Sequence, residues 1–182
     1  MDSSPNYLTN PNIYKRLSEV CPEAKLIVCL RNPIDRAYSQ YNHYRYDMPK
    51  TIDWDWNHAL NLEENIKLEL SRAPDFKKDF SNFIGRGVYI NQIEQLMQYF
   101  DLSQIHITIL EHWKENYKEE LMKILNFLNI EPEPLPLLPR HCLPYNFEPM
   151  SLETRALLRE LYAPYNQRLF KLINFEIPEW FH

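Results

Sequence analysis

Two short apolar segments along the chain predict β-strands. Residues 25–30 form an almost continuous apolar run of strand length, which is typical of a strand buried on both faces in the middle of a parallel sheet. In residues 105–110, isoleucines alternate with His106 and Thr108, and this period of two also predicts a strand. We expect both strands to lie in one parallel sheet.

Helical periodicity dominates the sequence around these strands. Apolar residues recur there at spacings of three and four, as they do on the buried face of a helix. The predicted helices cover residues 11–19, 33–47, 53–70, 88–100 and 119–128, and a last helix starts near Ser151 and is kinked or broken at Pro164. Strands that alternate with helices predict an α/β layered domain, with a parallel sheet flanked by helices.

The chain of 182 residues has the length of one domain. Residues 131–149 contain six of its 14 prolines. Because proline has no backbone N–H to donate to a strand ladder, this stretch is predicted as an ordered loop. We expect residues 1–182 to form a single domain that includes the loop.

Charge and apolar run length exclude several classes of protein. The net charge of −5 and the pI near 5.7 argue against a nucleic acid partner, since a general nucleic-acid binder carries a basic surface. Apolar runs reach only about five residues, against about 20 for a membrane-spanning helix. We therefore expect no membrane span.

The positions of the glycines exclude one kind of phosphate-binding loop, and those of the cysteines indicate the redox state of the thiols. The only two glycines are Gly85 and Gly87, so no glycine-rich phosphate loop precedes position 85. The three cysteines form no CxxC pair. Reduced thiols and a cytoplasmic location are therefore the expectation.

Candidate chemistry lies where the first predicted strand turns into the next helix. Asn32 can cap this helix, Pro33 suits its first position, and Asp35 can reach back to the cap as in a capping box. The corner lies at the carboxyl end of a parallel strand, where open α/β sheets bind ligands. Arg31 leaves the strand here, and Ser39, two turns along the helix, returns to the same side as Asn32.

A guanidinium and a hydroxyl in this arrangement can hold a terminal phosphate through charge-assisted hydrogen bonds. The residues alone leave a second interpretation open. Arg31 can equally form a surface ion pair, and Ser39 can simply be solvated.

Residues 25–41 read Lys-Leu-Ile-Val-Cys-Leu-Arg-Asn-Pro-Ile-Asp-Arg-Ala-Tyr-Ser-Gln-Tyr and resemble the 3′-phosphate-binding segment of sulfotransferases. The resemblance is to the heparan sulfate sulfotransferase-like branch and its bacterial relatives in particular. Further similar segments follow the order of that family along the chain: residues 3–8, the Arg-Gly-Val-Tyr of residues 86–89, and residues 150–155 and 162–166.

The resemblance implies a P-loop-NTPase-like fold and a sulfuryl transfer. The donor is 3′-phosphoadenosine 5′-phosphosulfate (PAPS), no metal is involved, and the acceptor is a hydroxyl or amine of a glycan, a lipid or a small molecule. In the family, the residues that match Arg31 and Ser39 hold the 3′-phosphate. The implied mechanism is an in-line displacement, in which a base takes the acceptor's proton while cations stabilise the leaving oxygen.

The sequence departs from the family at its beginning. Family members start with a strand and a loop rich in Gly, Lys and Thr that holds the 5′-phosphosulfate, and a glutamate base commonly follows. The resemblance starts downstream of both, so we expect an N-terminally truncated domain of a longer enzyme, with exposed apolar strand positions, and we name no catalytic residue. The alternatives are a degenerate, non-catalytic module that serves in protein association, and an unrelated nucleotide-binding α/β protein.

Two more arginines are candidates for nucleotide binding. Arg86, between the two glycines, is either a second anion contact or part of a helix-entry turn that faces solvent. Arg140 lies in the proline-rich loop, where the family places a basic loop over the nucleotide. Next to it, His141 and Cys142 lack the further ligands that a zinc site needs.

Two histidine-containing segments stay ambiguous. His43, Tyr44 and Tyr46 can border the acceptor cleft or form a partly exposed aromatic face. Glu111 and His112 follow the second strand, where helix capping explains them as well as catalysis does.

Overall fold

The computed structural model describes residues 3–4, 6–46, 60–72, 83–132 and 148–181. Six α-helices and two β-strands are found in these ranges. They are α1 (Pro11–Val20), β1 (Leu26–Leu30), α2 (Pro33–Tyr46), α3 (Leu62–Arg72), α4 (Tyr89–Leu96), β2 (Ile105–Ile109), α5 (Leu110–Leu128) and α6 (Leu152–Ile173). Two 3-10 turns matter below: the glycine turn (Gly85–Gly87) and the C-terminal turn (Pro178–Phe181).

The two strands pair in parallel, as the sequence predicts. Leu26 lies opposite Ile105 and Leu30 opposite Ile109, so both strands end at the same edge of the sheet. The inner face carries Val28, Leu30, Ile105 and Ile109, which are buried in the core with residues of α2, α4 and α6. This arrangement brings the chain segments that follow β1 and β2 together.

The expectation that β1 is buried on both faces is wrong for the described part of the sheet. Its outer face carries Ile27, which is 39% exposed, and Cys29, which is also exposed. Helix α5 packs on this side against β2, with Phe127 on the ring of His106. Side chains of α5 contact the outer positions His106 and Thr108 of β2, whereas the outer positions Ile27 and Cys29 of β1 stay exposed. The expectation of exposed apolar strand positions is confirmed at Ile27.

Local hydrogen bonds explain where α3 and α4 differ from the predicted ranges. Helix α3 begins at Leu62, because Asn61 and Glu64 form a reciprocal capping box with N···O distances of 2.8 and 3.0 Å. The predicted start at residue 53 lies outside the described residues. Helix α4 ends at Leu96 rather than residue 100, because the Tyr99 N–H bonds the Leu96 carbonyl and tightens the chain into a turn.

Helices α5 and α6 are longer than the sequence predicts. Helix α5 starts at Leu110 instead of 119, and a non-helical residue, Asn116 (φ −140°, ψ 66°), separates its first turns from the predicted part. Helix α6 begins after the predicted cap Ser151 and continues through Pro164, so of the two predicted alternatives the break is excluded and the kink stays a prediction. Residues on both sides of the proline, including Tyr162 and Leu169, are buried in the core, and this packing offsets the lost hydrogen bond.

Several sequence predictions fall beyond the described ranges. Residues 133–147 of the proline-rich loop and Cys142 are outside them, and the single-domain interpretation stays a prediction.

Cys21 and Cys29 carry free thiols. Of the helices described, none has both the length and the apolar character needed to cross a bilayer.

The glycine turn packs directly against α6. A Cβ atom on Gly87 would lie 2.7 Å from the hydroxyl oxygen and 2.8 Å from Cζ of Tyr162. Tyr162 is fully buried, and its hydroxyl donates to the Ile84 carbonyl at 3.0 Å. Its ring therefore has little room to move away.

We expect Gly87→Ala to lower the free energy of unfolding by about 1–3 kcal/mol, because the added methyl group overpacks a rigid contact. Urea unfolding measures this difference. The control is Gln98→Ala at an exposed position just after α4. A Gly87→Ala variant as stable as the Gln98→Ala variant would contradict the close packing described here.

Candidate functional site

The corner after β1 is built around the buried side chain of Asn32, which is 3% exposed. Its Oδ1 accepts a hydrogen bond from the Ile34 N–H at 2.9 Å, which confirms the predicted cap of α2. Its amide nitrogen donates to the Glu179 carbonyl in the C-terminal turn at 3.1 Å. One side chain thus joins the start of α2 to the end of the described chain.

The predicted capping box at this corner is wrong. Asp35 does not reach back to Asn32, because its carboxylate pairs with Arg155 of α6 at 2.7 Å. The Asn32 N–H instead donates to Oε1 of Glu111, at the start of α5, at 3.0 Å. The carboxylate at the strand edge takes the role that the sequence analysis gave to Asp35.

A hydrogen bond fixes the backbone of Arg31, while part of its guanidinium has no hydrogen-bond partner among the described residues. Its carbonyl accepts a hydrogen bond from the Tyr89 hydroxyl at 2.8 Å. Burial raises the pKa of Tyr89 to about 12, so the phenol keeps the proton that it donates. The Arg31 Nε is buried and has no hydrogen-bond partner among the described residues. Since an unpaired buried cationic donor is costly, this atom points to an anionic ligand.

Ser39 lies half-buried on α2, two turns beyond the capped end. Helix and strand end are therefore placed as the sequence predicts, and the phosphate-binding role of Arg31 with Ser39 stays a prediction. His43, further along α2, is exposed and its ring lies 6.1 Å from that of Tyr44.

The C-terminal turn completes the corner, and no pattern in the sequence predicts this contact. Trp180 Nε1 donates to Oε2 of Glu111 at 3.3 Å, and Glu179 Oε1 lies 3.8 Å from Nε2 of His112. Glu111 thus contacts two other segments of the chain through its two oxygens. Glu111 therefore bridges two segments, and the capping and catalytic interpretations stay predictions.

The glycine turn that contains Arg86 is fixed by polar side chains from neighbouring helices. Glu69 of α3 accepts hydrogen bonds from the N–H groups of Ile84 (2.6 Å) and Gly85 (3.3 Å). Gln92 of α4 donates to the carbonyls of Gly85 and Arg86, both at 3.1 Å. Arg86 is half-buried in this helix-entry turn, and its role as an anion contact stays a prediction.

Glu69 has an unusual ionisation because of its position behind the glycine turn. Burial raises the pKa of its carboxyl group from an ordinary value of 4.5 to about 7. The backbone donors of Ile84 and Gly85 and the charge of Arg36 act in the opposite direction without cancelling the effect of burial. Glu69 is therefore partly protonated near neutral pH.

Two further predictions concern metal and nucleotide contacts. Arg140, with His141 and Cys142, lies outside the described residues. Within the parts of the chain that the structure describes, no three His, Cys, Asp or Glu side chains form a group that could hold a metal ion.

We expect the raised pKa of Glu69 to make stability depend on pH. Ionising Glu69 is harder in the folded than in the unfolded chain, so the free energy of unfolding falls as pH rises from about 4.5 through about 7. Glu69→Gln stays neutral and lacks this dependence. From pH 5 to pH 8 the wild type should lose roughly 2–3 kcal/mol relative to the variant, as measured by urea unfolding. Glu160→Gln, at an exposed position, is the control, and a constant difference between wild type and Glu69→Gln would contradict the assignment.

Comparisons with known proteins agree with this geometry. Carbohydrate sulfotransferase 15 of Mus musculus is 31% identical over an alignment of 196 residues, gaps included. The alignment covers 98% of this chain and 34% of that protein. Bifunctional heparan sulfate N-deacetylase/N-sulfotransferase 4 of Mus musculus is 27% identical over 205 residues, which cover 98% of this chain and 23% of that protein. The chain thus spans about a third or less of the length of these relatives.

A solved structure and a family model give the same result. The crystal structure of a sulfotransferase from Alicyclobacillus acidocaldarius matches with a TM-score of 0.75 at 24% identity, covering 98% of this chain and 66% of that one. This match confirms the predicted α/β fold. The family model described as sulfotransferase domain matches residues 8–153. Since this match includes the strand pair, the corner at Arg31 and the glycine turn, the chain belongs to the sulfotransferase family.

Proposed function

We propose that this chain binds the 3′-phosphoadenosine end of PAPS, and that the protein containing it transfers the sulfuryl group of PAPS to a hydroxyl or amine. The observation that carries the proposal is the buried Nε of Arg31, which lacks a partner among the described residues at the carboxyl end of β1. This position is where open parallel sheets bind ligands. A phosphate oxygen supplies the acceptor that Nε lacks.

The neighbouring carboxylates support the same proposal. Asp35 is paired with Arg155, and the oxygens of Glu111 accept hydrogen bonds from Asn32 and Trp180. Asp35 and Glu111 are therefore engaged with groups other than the Arg31 guanidinium. Among the described residues, the Arg31 Nε is left without an acceptor, and an anion from solution can supply one.

Recognition of the 3′-phosphate is the part of the reaction that we assign to this chain. In the transfer, the acceptor oxygen or nitrogen forms a bond to sulfur while the bond from sulfur to the bridging oxygen of the donor breaks. A base takes the acceptor's proton, and adenosine 3′,5′-bisphosphate leaves. Arg31 and Ser39 orient the donor through the phosphate that both donor and product carry, so they contribute binding and alignment rather than proton transfer.

For the acceptor we propose a carbohydrate, because the relatives reported above are named as carbohydrate and heparan sulfate sulfotransferases. The net charge of −5 gives no overall attraction to a polyanionic glycan, so local cationic groups have to provide it. The cytoplasmic location expected from the cysteines stays a prediction.

We expect the protein to bind adenosine 3′,5′-bisphosphate about 10- to 100-fold more tightly than AMP, because the added phosphate gains charge-assisted hydrogen bonds. Arg31→Ala should remove this preference and leave the affinity for AMP nearly unchanged. Ser39→Ala should reduce the preference several-fold. Isothermal titration calorimetry with both nucleotides measures these affinities.

The matched control is Arg159→Ala, which removes the same charge from an exposed position on α6. It should leave the preference intact. Equal wild-type affinities for the two nucleotides would refute the proposed site and favour an unrelated nucleotide-binding protein, whereas binding of neither nucleotide would favour a module without donor recognition.

A further inference from the structure

Glu111 links three parts of the chain at the edge of the sheet. Its Oε1 accepts from the Asn32 N–H after β1 at 3.0 Å, and its Oε2 accepts from Trp180 Nε1 in the C-terminal turn at 3.3 Å. Glu111 itself lies in the first turn of α5, directly after β2. Its carboxylate therefore ties the ends of both strands to the C-terminal turn.

The bond from Asn32 to Glu111 is one of two that fix a single peptide unit. The peptide between Arg31 and Asn32 has one carbonyl and one N–H. The carbonyl accepts from the Tyr89 hydroxyl at 2.8 Å, and the N–H donates to Glu111. Because a peptide is planar and its two polar groups point in opposite directions, holding both groups sets the rotation of the whole unit. That rotation helps to set the direction in which the Arg31 side chain leaves the backbone.

Trp180 keeps the two holding groups in place. It is 2% exposed, and its ring centroid lies 5.7 Å from that of Tyr89. The same ring donates its N–H to Glu111. Tyr89 and Glu111, which act on opposite sides of the peptide, therefore share one buried neighbour, so neither can shift without disturbing Trp180.

A carboxylate beside an anion site is electrostatically unfavourable for binding, which makes the presence of Glu111 informative. We infer that Glu111 is a positioning residue that fixes the Arg31–Asn32 peptide and so aims the Arg31 guanidinium at the 3′-phosphate, an inference that rests on the function proposed above. Its contribution comes from its side-chain length, which lets an oxygen accept a hydrogen bond from the Asn32 N–H. Its charge makes no favourable contribution to phosphate binding.

Two substitutions separate the effect of the side-chain length of Glu111 from the effect of its charge. Glu111→Gln loses the charge and the acceptor for the Trp180 N–H, but it keeps one oxygen at the same distance from the backbone, so it can still accept from the Asn32 N–H. Glu111→Asp keeps the charge but is one methylene shorter, so its carboxylate falls short of that N–H. The readout is the ratio of the dissociation constants for AMP and adenosine 3′,5′-bisphosphate, measured by calorimetry on the full chain.

We expect Glu111→Asp to lower this ratio about tenfold, and Glu111→Gln to stay within about twofold of wild type. The control is Glu120→Asp, the same change further along α5, where the carboxylate bonds Thr108 and Lys123. A role limited to stability would make Glu111→Asp and Glu120→Asp act alike on melting temperature without moving the ratio.

Three results would overturn the inference. They are an unchanged ratio in Glu111→Asp, an equal loss in Glu111→Gln, and a loss of the same size in the Glu120→Asp control. If Glu111→Asp does not fold, Tyr89→Phe removes the other bond to the same peptide at nearly constant volume, and it should lower the ratio several-fold. An unchanged ratio there also overturns the inference. A wild-type ratio near one refutes the proposed function itself, which distinguishes the two failures.

Discussion

The corner depends on satisfying the polar groups of the chain where β1 leaves the sheet. Where a strand ends inside a packed domain, its last backbone donors and acceptors are shielded from water, and each needs another hydrogen-bond partner. Here the partners are side chains. The Tyr89 hydroxyl donates to the Arg31 carbonyl, Glu111 accepts from the Asn32 N–H, and the Asn32 side chain caps α2. The three interactions come from three different elements. Sheet, helices and C-terminal turn are consequently fixed relative to one another at this one position.

In the described part of the chain, the Nε of Arg31 stays without a hydrogen-bond partner at the corner. The acidic groups Asp35 and Glu111 are engaged by Arg155, Asn32 and Trp180. Behind the glycine turn, burial keeps Glu69 partly neutral near physiological pH. The charges of Asp35 and Glu111 are thus hydrogen-bonded, and that of Glu69 is reduced, which suits a site for a multiply charged anion.

Features encoded by neighbouring residues could be predicted from the sequence, and those encoded by distant residues could not. The cap at Asn32 was predictable, because its partner Ile34 is two residues away. Glu111 lies 79 residues from Asn32, and Glu179 lies 147 residues from it. No local pattern states which of several carboxylates meets an N–H over such distances. The same limit explains why Asp35, the nearer carboxylate, was predicted to accept from the Asn32 N–H, which instead donates to Glu111.

The exposed face of β1 has a chemical consequence through Cys29. A surface thiol two residues from Arg31 is a potential target for oxidants and electrophiles, and the thiolate is the form that reacts. Although the side chain is exposed, desolvation of its sulfur by neighbouring groups, together with the charge of Glu111, raises the pKa of Cys29. The sulfur therefore stays protonated at neutral pH. After desolvation, the charge of the carboxylate that holds the Asn32 backbone thus also contributes to a lower fraction of reactive thiolate at the nearby cysteine.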